Sequence, residues 1–264
     1  MTKQCPIGIF DSGVGGLSVT REIRRLLPGE DILYFADSAY CPYGTKTPQE
    51  INARSATICR FLLAEGAKMI VVACNTASIA GLDLLRQLFT VPIVGMEPAI
   101  KPASLATRNG KIGVMATGVT INGDRFHSLL EKYSNGVTVY TQPCPGLVEA
   151  VENGQSSAPA TRLLLQKYLA PMLAAGVDTI VLGCTHYPFL RETVQKICGP
   201  EVKLIDTGQA VARQVERVLK QHDLQHTAAA SGRELFYTSG DPEAVGKVIS
   251  TLWGKQVQVQ KKSI

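Results

Sequence analysis

The chain has 264 residues, 45% of them hydrophobic and 19% charged, enough for a sizeable core in one large domain or two small ones. Its formal net charge of +5 comes from scattered lysines and arginines, not from a basic stripe interleaved with aromatics, so no nucleic-acid partner is expected. No apolar run nears the roughly 18 residues that span a bilayer, and the N-terminal "MTKQCPIGIFDSG" holds no secretory apolar segment, so the expectation is a cytoplasmic protein without a membrane partner.

In chain order, the apolar run Ile7–Phe10 predicts a strand and Leu17–Leu27 a helix. A strand at Ile32–Phe35 precedes a helix over Gln49–Ala64. A strand at Met69–Ala73 leads to a helix at Ser78–Leu88, and Pro92–Gly95 is again a strand. Further strands are expected at Ile112–Met115, Val137–Tyr140, Thr179–Leu182 and Val202–Ile205. Further helices are expected at Thr161–Ala174, Ala210–Leu219 and Pro242–Leu252. The segment "PGLVEAVENG" (145–154) reads as a short helix closed by Asn153-Gly154. Residues 222–232 carry no periodicity and read as a surface loop. Strand and helix alternate, and the strands are continuous apolar runs. That pattern belongs to α/β architecture, with parallel sheets covered on both faces.

A faint repeat divides the chain. "GAKMIVVACNTAS" (66–78) aligns with "GVDTIVLGCTHYP" (176–188), so that Gly66, Ile70, Val71 and Cys74 meet Gly176, Ile180, Val181 and Cys184. "IGIFDSGVG" (7–15) aligns with "IGVMATGVT" (112–120) at a similar offset. Two related halves are expected, with pseudo-symmetric sheets facing one cleft. In open α/β sheets ligands bind beyond the carboxyl ends of the strands. All four segments carry their polar residues there, and each half supplies one cysteine.

The seven cysteines (Cys5, Cys41, Cys59, Cys74, Cys144, Cys184 and Cys198) form no paired framework, so disulfides are not expected. Most read as small buried hydrophobes. Cys74 and Cys184 are different, because each ends a strand beside polar residues. A thiol at a strand-to-helix turn is expected to gain thiolate character from the helix dipole. Asn75, Thr76, Thr185 and the glycine turn after Asp11 offer donors for a carboxylate. Two thiols on opposite walls suit inversion at a carbon next to a carboxylate: one removes a proton and the other returns one to the opposite face. Asp11 is the candidate helper beside Cys74, and His186 beside Cys184, with Glu152 weaker on sequence grounds.

"IGIFDSGVGGLSV" (7–19), "YFADSAYCPYG" (34–44), "VVACNTAS" (71–78) and "GCTHYP" (183–188) resemble the signature segments of the glutamate racemases. These cofactor-independent enzymes make D-glutamate for the bacterial cell wall. The resemblance implies Cys74 and Cys184 as catalytic acid–bases, assisted by Asp11, Glu152 and His186. It implies substrate contacts from Asp11, Ser12, Pro42, Tyr43, Gly44, Asn75, Thr76, Thr117, Thr120, Thr185 and His186. It also implies two α/β domains, residues 1–97 with 208–264 and residues 98–207, with glutamate between them, no cofactor and a possible homodimer. The family commonly reads Gly-Thr-Val-Gly-Thr where this chain has "ATGVT" (116–120). Both threonines keep their places while the glycine and valine between them are exchanged.

Other readings fit fewer residues. Cys184 with His186 lacks the closed ligand set of a structural zinc, and no metal is expected. "DSGVGG" lacks the Lys-Ser/Thr of a P-loop. A Cys184–His186 nucleophile pair, or a binding module without catalysis, leaves Cys74 without a role. Cys41 reads as a spectator within its loop.

Overall fold

The computed structural model describes residues 2–226 and 231–264. In chain order the elements are β1 (Ile7–Asp11), α1 (Leu17–Leu26), β2 (Ile32–Ala36), α2 (Pro48–Ala64), β3 (Met69–Val72), α3 (Asn75–Leu88) and β4 (Ile93–Val94). Next come α4 (Ile100–Ala106), β5 (Lys111–Ala116), α5 (Gly118–Asn122), α6 (Asp124–Tyr133), β6 (Thr138–Pro143), α7 (Leu147–Glu152) and α8 (Pro159–Ala174). The chain closes with β7 (Thr179–Leu182), α9 (Arg191–Cys198), β8 (Lys203–Ile205), α10 (Gly208–Gln221), β9 (Glu234–Thr238), α11 (Pro242–Trp253) and β10 (Val259–Lys261).

The strands form two all-parallel sheets, ordered β10-β9-β2-β1-β3-β4 and β6-β5-β7-β8. Every residue of β1, β2, β3 and β7 is buried, as strands covered by helices on both faces must be. The chain leaves the first sheet after β4, builds the second, and returns for β9 and β10.

The repeat seen in the sequence is a structural repeat. The order β2-β1-β3-β4 is reproduced by β6-β5-β7-β8. Register agrees as well: Gly8 pairs with Ile70 in one half, and Gly113 pairs with Ile180 in the other. Both glycines exist for the same reason. A Cβ on Gly8 would meet Ala67 and Ile70 at 2.9 and 3.0 Å, with Leu62 next. A Cβ on Gly113 would meet Met172, Ile180 and Val177, the residues at the matching places of the repeat. The helix preceding each third strand lies so close to the first strand that no side chain fits between them.

Two strands were not foreseen. β9 is a short apolar run near the sheet edge, with its first two residues partly exposed, and β10 is a largely exposed edge strand. Neither has the long apolar run that marks a central strand. Helix α3 begins at Asn75, not Ser78, because Cys74 is its N-cap. The short α4, α5, α6 and α9 add cover that periodicity alone did not single out. Of the expected loop 222–232, residues 227–230 lie outside the described residues. One apolar cluster runs through both halves, joining Val14, Leu17 and Val71 to Leu147, Leu182 and Tyr187. The two halves therefore share a core behind the cleft.

Candidate active site

The carboxyl ends of β1, β3, β5 and β7 converge, and the residues that follow them enclose a small cavity. It is lined by Ser12, Pro42, Tyr43, Gly44, Cys74, Asn75, Thr76, Thr117, Val148, Cys184, Thr185 and His186. Both cysteines predicted to be chemical face it. The space open to the centre of a water-sized sphere is about 10 Å³, room for roughly one water. A larger open groove, of about 610 Å³, lies between α3 and α6, but no thiol or imidazole lines it.

Asp11 ends β1 and stands just behind the cavity wall. Its Oδ2 accepts the Gly16 N–H at 2.8 Å, which fixes the glycine turn, and Thr185 of the other half donates to the same oxygen at 3.4 Å. Ser12 Oγ lies between the Asp11 carboxylate and the Cys74 sulfur, at 3.5 and 3.9 Å. Cys74 caps α3 with extended backbone, so its thiol and the first-turn residues Asn75 and Thr76 point into the same space. Burial and the nearby Asp11 charge push the Cys74 thiol well above its ordinary range, against one favourable backbone hydrogen bond from Ala77. The helix dipole does not prevail here as the sequence suggested: desolvation outweighs it. Asp11 itself is raised by burial, an effect tempered by the charge of His186.

Cys184 follows β7, and the element after it is a single turn at Tyr187–Leu190, not a full helix. The dipole expected there is small, and His186 supplies the positive charge instead. Its Nδ1 lies 3.7 Å from Cys184 Sγ, and its Nε2 lies 2.6 Å from Glu152 Oε1. That carboxylate oxygen also accepts the Val14 N–H at 2.6 Å. An acceptor-only carboxylate assigns a proton to Nε2, so Nδ1 is the nitrogen that exchanges a proton with the sulfur. Burial works against an imidazolium, but hydrogen bonds with Cys184, Cys41 and Glu152 outweigh it and hold His186 well above the usual range.

The glycine turn is built to admit these groups from the other half. A Cβ on Gly13 would sit 2.0 Å from the Glu152 carboxylate, and one on Gly15 2.3 Å from the His186 ring. Ser18, in the first turn of α1, donates to the Thr185 carbonyl at 2.8 Å. Across the cleft, Thr76 Oγ1 lies 3.0 Å from Thr117 Oγ1 and 3.4 Å from Thr120 Oγ1. Thr117 caps α5 by accepting the Thr120 N–H. The exchanged glycine and valine therefore leave both threonines facing Thr76.

Every candidate lines the cavity except Asp11, Glu152 and Thr120, which sit one layer behind and touch residues that do. Val148 was missed, although it shares a face of α7 with Glu152 one turn later. Ser18 was also missed; its place, one turn after Gly15, was the available signal. Cys41, read as a spectator, lies beside the cavity: with Glu152 and His186 it forms a group whose sulfur, oxygen and nitrogen all lie within 4.8 Å of one another.

This fold places a thiol on each wall of one cleft, an arrangement suited to a proton-transfer isomerase. Residues 7–215 match the family model described as Asp/Glu/Hydantoin racemase, and the chain belongs to that family. It is 52% identical to the glutamate racemase of Ectopseudomonas mendocina over 97% of this chain and 98% of that one. Among solved structures it resembles Escherichia coli glutamate racemase in complex with L-glutamate and the activator UDP-MurNAc-ala (TM-score 0.86, 32% identity, 98% of each chain covered). It also resembles Francisella tularensis glutamate racemase in complex with D-glutamate (TM-score 0.85, 31% identity, 99% and 98% covered).

Proposed function

We propose that this chain interconverts L- and D-glutamate by direct proton transfer between Cys74 and Cys184, without a cofactor. The observation that carries the reading is the placement of two thiols, one from each half, on one cavity with separate proton partners. A thiolate on one side takes the α-proton, and the thiol on the other side gives its proton to the opposite face of the carbon. Asp11, bridged by Ser12, attends Cys74, and the His186–Glu152 pair attends Cys184. Asn75, Thr76, Thr117, Thr185 and the backbone of Tyr43–Gly44 supply donors for the substrate carboxylates, whose charge grows as the α-carbon loses its proton. Thr120 supports Thr76 and Thr117 from behind. The relatives named glutamate racemase and the two glutamate-bound neighbours support glutamate as the substrate.

The same reading assigns residues 1–97 with 208–264 to one domain and 98–207 to the other. It supplies D-glutamate for peptidoglycan in the cytoplasm. Among the described residues no helix is long and apolar enough to cross a membrane. A homodimer belongs to the family resemblance, and light scattering checks it. The test of function is the racemisation rate on glutamate and on aspartate, for the purified chain and for Cys74→Ser and Cys184→Ser. Glutamate is expected to be preferred, and each substitution to lower kcat by at least about 10²-fold. Full activity in either variant overturns the two-thiol mechanism.

A further inference from the structure

We propose that Cys41, Glu152 and His186 form a zinc site, and that zinc bound there inhibits the enzyme by taking His186 and Glu152 out of the proton relay. The three side chains come from separate parts of the chain: the loop after β2, the end of α7 and the turn after β7. Their ligand atoms lie within 4.8 Å of one another, a spacing that small side-chain rotations convert to tetrahedral zinc coordination. Thiolate, imidazole nitrogen and carboxylate oxygen are the three donor types that zinc prefers, and three protein ligands leave a fourth position for water.

Access is one-sided. Cys41 is partly exposed and the Glu152 side chain is 15% exposed, while His186 is only 1% exposed. An ion therefore approaches along Cys41 and Glu152 and meets the imidazole from outside the substrate cavity, which Cys41 and Glu152 do not line. Zinc binding releases the Cys41 thiol proton to solvent and forms a zinc–sulfur bond. The imidazole must give a lone pair to the metal, so the proton on that nitrogen leaves as well. The 2.6 Å hydrogen bond between His186 and Glu152 is then replaced by two bonds to metal, while Val14 N–H still holds the carboxylate. With Nε2 bound to zinc, the neutral imidazole keeps its remaining proton on Nδ1 and can no longer accept one from Cys184. The rival location is a bridge between the catalytic thiols Cys74 and Cys184 themselves.

The test uses ZnCl₂ on the purified, metal-stripped full chain, with binding followed by calorimetry and inhibition by racemisation of glutamate. Cobalt(II) serves as a spectroscopic probe for thiolate ligation. The expected result is one bound zinc per chain and inhibition reversed by chelator. Cys41→Ser weakens both binding and inhibition by about 10-fold or more, each measured against that variant's own metal-free rate. The catalytically dead Cys74→Ala/Cys184→Ala variant still binds zinc and still shows the cobalt–thiolate band. Glu152→Gln weakens binding as a second check. Inhibition in Cys41→Ser equal to the unmodified chain overturns the proposal, as does loss of zinc binding in Cys74→Ala/Cys184→Ala. Absence of binding at about 10² μM zinc overturns it too. Binding is read without turnover, so failure of this inference is distinguishable from failure of the racemase reading on which the inhibition rests.

Discussion

Glu152 Oε1 receives two N–H groups, one from Val14 in the first half and one from His186 in the second. That single atom aligns the imidazole and also ties the halves together. Gly15 is the counterpart: its missing Cβ is the space that the imidazole occupies. Gly15→Ala is therefore expected to displace His186 and lower kcat by about 10²-fold, because small misplacements of a proton-transfer group are costly. Unchanged kcat would show that the ring can yield without loss. His186 also makes stability depend on pH. Its folded-state value is raised above the unfolded value of about 6.5, so its contribution is fully present below about pH 6.5 and is lost as pH rises through the folded value. The Tm advantage of the unmodified chain over His186→Asn should be largest below about pH 6.5 and shrink towards alkaline pH; an advantage that grows with pH contradicts this. The paired cysteines were legible in the sequence because each ends a buried strand at matched places of a repeat. Val148 was not, since an apolar residue on a short helix reads as core whether or not it meets a cavity.

At the scale of the elements, α1 carries the glycine turn at its start and seats the other half through Ser18. Its hydroxyl donates to the Thr185 carbonyl, next to Cys184. Ser18→Ala should cost about 1 kcal/mol of stability and lower kcat more than it raises KM. Equal kcat with a lowered Tm would reduce Ser18 to a structural tie. Helix α2 offers a contrast away from the cavity. Thr47 and Glu50 form a reciprocal capping box, with Pro48 as the first helical residue. Thr47→Ala should cost about 1 kcal/mol, seen as a Tm drop of a few degrees, with kcat unchanged. Central strands and long amphipathic helices were readable from periodicity. The edge strands β9 and β10 were not, because partial exposure shortens the apolar run that would mark them. The dipole argument for the thiols was also incomplete: sequence shows that a helix follows Cys74 but not that the thiol is fully desolvated.

For the whole molecule, the closed cleft is the dominant fact. Ser18–Thr185, Glu152–Val14 and Thr76–Thr117 all cross between the sheets, and the cavity they close has room for about one water. Glutamate is much larger, so the halves are expected to part for it to enter and to close again, excluding water from the reacting carbon. Glutamate at about 100 times its Kd should then stabilise the fold by about 2.7 kcal/mol and raise Tm by several degrees. Hydrogen exchange should slow in the glycine turn and in the Cys184–His186 turn; slowing confined to elsewhere would contradict binding in this cleft. The duplication was readable because matched residues kept matched register, as Gly8 and Gly113 show. Closure was not, since it depends on side chains that meet only when the two halves are assembled. The most direct measurement is incubation of the purified, cofactor-free chain with L-glutamate in D₂O, following optical rotation and α-deuterium by mass spectrometry. The account predicts α-deuterated D-glutamate without any added cofactor. The absence of both inversion and α-deuteration, in a folded chain that binds glutamate, would contradict it.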